Sequence, residues 1–201
     1  MKTTLFALTI CFADALSLHA ADAPLPHKAP ELAFKIPGQG DKLLSQYRGK
    51  VVALELIFTT CPHCQHASEL MTKLQREYGP RGFQSLDVAF NDNADLKVDD
   101  FVRDFHVGFP VGWTERDSVL GFLGLSVVDR FVVPQLQLID RKGIVHYATP
   151  PNGVGAEAAN YENAMKEETI RQRIEELLAI GASSSSHKPV ASAKAALAVK
   201  N

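Results

Sequence analysis

The feature that most constrains this chain is an apolar run that ends on a pair of cysteines. Residues 50–58 read Lys-Val-Val-Ala-Leu-Glu-Leu-Ile-Phe, and Thr59-Thr60-Cys61-Pro62-His63-Cys64 follow. A near-continuous run of aliphatic and β-branched residues predicts a central strand buried on both faces. Proline suits the first position of a helix, where its missing N–H has no intrahelical partner. Beyond it Ala67, Leu70, Met71, Leu74 and Tyr78 recur at helical spacing, and Gly79-Pro80 ends the pattern. Strand, turn and helix are thus predicted in immediate succession. Cys61 falls at the helix start, and Cys64 lies one turn in, on the face of Ala67 and Met71.

That position is reactive for a physical reason. The first turn of a helix carries free N–H groups and the positive end of the helix dipole, and both favour a thiolate over a thiol. Cys61 is therefore the predicted nucleophile and the more buried Cys64 the resolving thiol. The chain has three cysteines, and Cys11 falls in the N-terminal segment. The other two close so short a loop that a bond between them restrains the unfolded chain little. A single Cys-x-x-Cys also supplies only two of the four ligands that structural zinc takes. The pair is read as a redox-active Cys61–Cys64 disulfide, with no metal and no cofactor. His63, in the first turn after Pro62, is expected to stabilise the Cys61 thiolate. A stabilised thiolate leaves more readily and makes the disulfide more oxidising. His66 is read as a polar helix residue.

Elsewhere the order predicted is β-β-α-β-α-β-α-β-β-α, a mixed sheet flanked by helices. The first strand is placed at 31–36, with one helical turn over 42–48. Residues 83–90 read as a second core strand. Asn91-Asp92-Asn93 is expected to cap a helix over 94–106. A short helix is placed at 114–124. Residues 136–140 and 144–149 flank Arg141-Lys142-Gly143 as an antiparallel hairpin. A loop over 150–160 leads to an amphipathic helix over 162–180 that buries Ile170, Ile174, Leu177 and Leu178 and stops at Gly181. Residues 182–201, a Ser, Ala and Lys tract, are expected to be disordered.

Residues 1–23 have the pattern of a cleaved signal peptide: Lys2, an apolar stretch over 3–13, then Ala20, Ala21 and Ala23. Asp14 interrupts the stretch well short of the roughly 20 apolar residues a membrane anchor takes. A periplasmic or secreted location follows. The formal charge of -2 offers no basic field for nucleic acid.

From residue 29 to residue 150 the chain resembles the thioredoxin superfamily, in particular the periplasmic redoxin proteins of TlpA and ResA type (AhpC/TSA-like). The resemblance is carried by the lead-in Leu43-Leu44-Ser45-Gln46-Tyr47-Arg48-Gly49-Lys50, by the strand and Cys-x-x-Cys helix, and by Val133-Pro134-Gln135-Leu136-Gln137-Leu138-Ile139-Asp140. It implies an α/β thioredoxin-like domain over 24–150, with 151–181 packed on it as a loop and C-terminal helix. It implies that Pro134 follows a cis bond and lies against the active-site disulfide, with Val133 and Thr60 at the substrate side. It implies that Glu55 is a buried carboxyl beneath Cys64 that moves protons during exchange. The dipeptide Pro62-His63 and Val133 match DsbA-type oxidases rather than the redoxin group.

The activity implied is thiol–disulfide exchange with exported proteins, with a second envelope redox partner resetting the couple. Two other classes compete. A peroxiredoxin places threonine three residues before its reactive cysteine, and that position is Phe58 here. A copper or zinc carrier would use Cys61 and Cys64 as soft ligands, with His63 or His66.

Overall fold

The computed structural model describes residues 24–153 and 155–182. The predicted signal segment, Cys11 and the tail beyond residue 182 lie outside the described residues. The strands are β1 (His27–Lys28), β2 (Ala33–Ile36), β3 (Gly40–Leu43), β4 (Val51–Ile57), β5 (Phe83–Ala89), β6 (Val111–Trp113), β7 (Gln135–Ile139) and β8 (Ile144–Ala148). The helices are α1 (Pro62–Tyr78), α2 (Ala94–Asp104), α3 (Arg116–Leu123), α4 (Ala158–Ala164) and α5 (Glu167–Ala182). All eight strands form one sheet in the order β1-β8-β7-β4-β5-β6-β2-β3. β4 pairs parallel to β5 and antiparallel to β7, so the predicted central strand is central. The sheet is mixed, as expected.

Every residue of β4 is buried, because both faces of the sheet are covered. Val51, Ala53 and Ile57 face a layer that contains Met71 and Leu74 of α1, Val98 and Phe101 of α2, and Ile174 and Leu177 of α5. Val52, Leu54 and Leu56 face Val119 and Phe122 of α3 together with Leu32, Phe34 and Leu44. The period of two along a strand sends alternate residues to opposite layers. Glu55 therefore points into the α1 layer.

Several local expectations are corrected. Ahead of the predicted first strand lies β1, which pairs antiparallel to β8 through His27↔Val145. Residues 42–48 are not one helical turn. Gly38 and Gly40 adopt φ of 72° and 73°, which turns the chain back so that β3 pairs with β2, and only Leu44–Tyr47 coils, as a 3-10 turn. No side chain of the 91–93 segment caps α2. Asn93 takes a left-handed conformation with φ of 58°, and the Asn91 amide is engaged elsewhere. The C-terminal helix is two helices. α4 already begins within the expected loop, and α5 starts afresh with Glu167 and Glu168 in its first turn, where acidic groups complement the helix dipole. Gly181 lies inside α5 rather than beyond it.

α5 belongs to the core. Ile170, Ile174, Leu177 and Leu178 are all buried beside α1 and the sheet. Arg171 reaches Glu77 on α1 at 2.7 Å, and Arg81 reaches Glu175 at 2.6 Å, but such exposed pairs contribute little beside the apolar contacts. Ile174→Ala should therefore lower stability by about 2–5 kcal/mol, read as a drop in the urea midpoint. A change under about 0.5 kcal/mol, as at exposed positions, would mean that the helix is not part of the core.

Candidate active site

β4 ends at the edge where the helices open, and the turn that follows is tightly held. The Thr59 N–H donates to Oδ1 of Asn91 at 2.8 Å, and Nε2 of Gln65 donates to the Thr59 carbonyl at 3.1 Å. The Cys61 N–H donates back to the Phe58 carbonyl at 3.1 Å. Cys61 is the N-cap of α1, with extended φ and ψ of −86° and 120°, and Pro62 opens the helix. Cys61 is half-buried, Cys64 is sealed at 0% exposure, and both are free thiols in this structure. The helical spacing thus separates one approachable sulfur from one enclosed sulfur.

Across from Cys61 lies the loop before β7. The Val133–Pro134 bond is cis, as the resemblance implies. The Cys61 thiol faces the Val133 carbonyl at 3.8 Å. Nε2 of Gln135 donates to the Val132 carbonyl at 2.8 Å, and the Tyr161 hydroxyl of α4 donates to the Pro134 carbonyl at 2.8 Å. Phe131 stacks on Phe90 at 5.8 Å, and Phe90 meets Phe58 edge-on at 4.7 Å. The loop is therefore fixed from both faces of the sheet.

Beneath the cysteines the sheet carries two buried carboxyls. Glu55 of β4 and Asp87 of β5 are register partners across the parallel pair, and both are 0% exposed. Burial and the neighbouring Asp87 carboxyl hold Glu55 well above the usual carboxylate range. Burial pushes Asp87 up to about 7, against the lowering effect of Ser68, whose hydroxyl lies 2.5 Å from Oδ2. No ordinary hydrogen bond joins the two carboxyls: both Glu55 oxygens and Oδ1 of Asp87 lack partners. Burial likewise drives the Cys64 thiol far above its ordinary range, with the charges of Cys61 and Glu55 adding to the effect. Cys64 thus rests as a thiol.

A groove of about 720 Å³ runs beside the cysteines between α1, the cis-proline loop and α4. His63, Leu70, Val133, Tyr161 and Met165 line it, and it reaches down to Glu55. Of the sequence-predicted site residues, Val133, Pro134 and Glu55 line this groove, Cys61 faces Val133, and Cys64 is enclosed behind Cys61. Thr60 is exposed and is not among the residues that line the groove. His63 is exposed and lines the groove, and makes no hydrogen bond to Cys61 among the described residues. His66 is exposed and lies 3.5 Å from Glu69. Among the described residues no group of three or more His, Cys, Asp and Glu side chains is placed to hold a metal.

Sequence reasoning missed Asp87, Ser68 and Tyr161. Asp87 reads as the polar face of a strand in which Leu86, Val88 and Phe90 alternate, and it is buried only because α1 covers that face. Tyr161 carried no signal, because its segment reads as loop until α4 brings it over Pro134.

Comparison with known proteins agrees with this geometry. The family model Redoxin matches residues 27–165, and the chain belongs to that family. It is 31% identical over 117 residues to the thiol-disulfide oxidoreductase ResA of Geobacillus thermodenitrificans, covering 58% of this chain and 64% of the relative. It is 29% identical over 110 residues to ResA of Bacillus anthracis, covering 53% and 59%. The chain thus spans about three-fifths of the length of these curated relatives. Among solved structures, a putative thiol:disulfide interchange protein DsbE from Chlorobium tepidum aligns with a TM-score of 0.60 at 25% identity, over 76% of this chain and 96% of that one. A putative protein disulfide isomerase from Bacteroides thetaiotaomicron aligns at 0.58 and 22% identity, over 80% and 94%, and supports the thioredoxin-like fold.

The raised Asp87 has a consequence for stability. Its folded pKa of about 7 exceeds the ordinary 3.8, so the folded state keeps a proton that the unfolded chain releases. This group therefore takes stability away as pH rises between those two values, and its effect is constant above them. Asp87→Asn removes this carboxyl's share of the pH dependence. The variant should gain stability relative to the parent as pH rises from about 4 to about 7, measured by urea unfolding across that window. A difference independent of pH would mean that Asp87 is ionised throughout.

Proposed function

We propose that this chain is an exported thiol–disulfide oxidoreductase whose Cys61–Cys64 couple exchanges with cysteines of other exported proteins. The observation that carries this reading is the asymmetry of the two sulfurs. Cys61 sits half-buried at a helix N-cap beside the Val133 carbonyl, and Cys64 is enclosed directly behind it. In the oxidising direction a substrate thiolate attacks Sγ of Cys61 and the Cys61–Cys64 bond breaks. The electron pair stays on Cys64, which takes a proton. A second substrate thiolate then attacks the substrate sulfur of the mixed disulfide and releases Cys61. In the reducing direction Cys61 attacks a substrate disulfide, and Cys64 then resolves the mixed disulfide and expels the substrate thiol. Glu55 is the proton-exchanging group beneath Cys64. A second redox protein resets the couple.

The functional unit over 24–150 is completed by the 151–181 segment, which supplies Tyr161 and the α5 core contacts. Export is supported by the basic, apolar and small-residue pattern of 1–23. No described helix is long and apolar enough to cross a membrane. Val133 and Thr60 flank the approach to Cys61 and contact the incoming chain. His63, in the first turn of α1 and lining the groove, tunes the potential of the couple.

Two outcomes test this. Cys64→Ser should accumulate mixed disulfides with protein substrates, and Cys61→Ser should form none, as seen on non-reducing gels of envelope extracts. Mixed disulfides trapped through Cys64 in the Cys61→Ser protein would reverse the roles. His63→Ala should make the couple more reducing when equilibrated against glutathione, and an unchanged potential would make His63 a bystander. The scale for such a shift is the roughly 150 mV that separates thioredoxin from DsbA.

A further inference from the structure

Asp87 is a buried titratable group that the exchange chemistry above does not use. It lies directly opposite Glu55 on the neighbouring parallel strand, so the two side chains enter the same layer under α1. The groups facing this pair are Cys64 and Ser68 of α1, with Cys61 at the N-cap and Tyr161 of α4 acting more remotely. β6 borders Asp87 with Val111 and Gly112, which carry no charge. No cation is among the groups that act on either carboxyl. Two adjacent carboxylates without a cation cannot both be ionised in an apolar interior, because each charge raises the cost of the other.

The contacts around the pair leave its facing oxygens open to a shared proton. Oγ of Ser68 lies 3.0 Å from the Cys64 carbonyl and 2.5 Å from Oδ2 of Asp87. Ser68 has one hydroxyl proton, and the carbonyl can only accept. Ser68 therefore divides a single proton between the Cys64 carbonyl and Oδ2 of Asp87, which leaves Oδ1 of Asp87 and both Glu55 oxygens for a carboxyl proton to join. Among the described residues, the three buried side-chain polar atoms that lack a partner are the two oxygens of Glu55 and Oδ1 of Asp87. A proton shared between the carboxyls would satisfy two of them with a small side-chain adjustment.

We propose that Asp87 is a positioning residue for proton transfer at Cys64: it retains a proton in the carboxyl pair and lends it as a hydrogen bond to Glu55, which lets Glu55 exist as a carboxylate in a sealed site. The proposal rests on the reading of Glu55 as the proton-exchanging group. When the disulfide opens, the bond between Cys61 and Cys64 breaks and its electron pair stays on Cys64. Glu55 passes its proton to that sulfur, and the remaining carboxyl proton stabilises the new carboxylate. In the resolving direction the Glu55 carboxylate takes the proton of Cys64. The Cys64 thiolate attacks Cys61, and the substrate leaves as a thiolate. The pair alternates between two protons and one, and the groove that reaches Glu55 is the route to solvent.

The test is to load Cys61 of the reduced full chain with thionitrobenzoate and time its release by Cys64 from mildly acid to mildly alkaline pH. In the parent protein the rate should rise through the neutral range as the pair passes from two protons to one. Asp87→Ala should slow release at least about tenfold at neutral pH, because Glu55 then cannot ionise. Asp87→Asn should recover most of the rate, since its amide still donates. Its pH step should move towards alkaline pH, because an amide donates a weaker hydrogen bond to the Glu55 carboxylate than a carboxyl does. Equal slowing in both variants, or parental rates in Asp87→Ala, would overturn the proposal. Where Asp87→Ala does not fold, a parental pH profile in Asp87→Asn would overturn it alone. Glu55→Gln separates the two readings: slow release there beside a parental Asp87→Ala removes Asp87 only, and a parental Glu55→Gln removes the Glu55 reading as well.

Discussion

The burial of β4 on both faces is the constraint on which the rest of this structure depends. With β5 on one side, β7 on the other and helices above and below, no residue of Val51–Ile57 reaches water. The strand has one way out, at its C-terminal end, and there the chain must turn at once into α1 to keep its apolar face on the sheet. That turn puts Cys61 at the N-cap. The helix period then carries Cys64 into the layer that Met71, Leu74 and α5 have closed. The same closure that stabilises the fold makes the two sulfurs chemically unlike.

Closure also sets the electrostatics. A polar group in β4 has no solvent, so Glu55 is neutralised rather than exposed, and Asp87 beside it raises the cost of charge further. Cys64 above them is held as a thiol by the same desolvation. Cys61 stands at the helix start, half-buried and beside the Val133 carbonyl. Accessibility changes across one turn of helix, from a half-buried sulfur to a sealed one above two carboxyls. On the opposite bank Tyr161 and Gln135 hold the carbonyls of Pro134 and Val132, so this wall of the groove is fixed.

Much of this was legible in the sequence, and the reasons are specific. The run 50–58 has too few polar residues for a surface strand, Pro62 marks a helix start, and the spacing from Ala67 to Tyr78 admits one helical face. Those three signals place Cys61, Cys64 and Glu55 with little ambiguity. Features made by distant segments were not legible. β1 exists because β8 offers it an edge, β3 because two glycines at positive φ fold it onto β2. Asn91, which reads as a cap, serves the Thr59 turn instead. Asp87 looks like the polar face of an alternating strand until α1 covers it. Tyr161 gains its role only when α4 crosses the cis-proline loop.

The central claim is that the fold makes Cys61 reactive and Cys64 inert in the folded dithiol. Alkylation of the reduced protein with limiting iodoacetamide at neutral pH, followed by mass mapping of the 61–64 peptide, tests it most directly. The account predicts modification at Cys61, with Cys64 labelled only after unfolding. Labelling at Cys64 first, or at equal rates on both sulfurs, would contradict it.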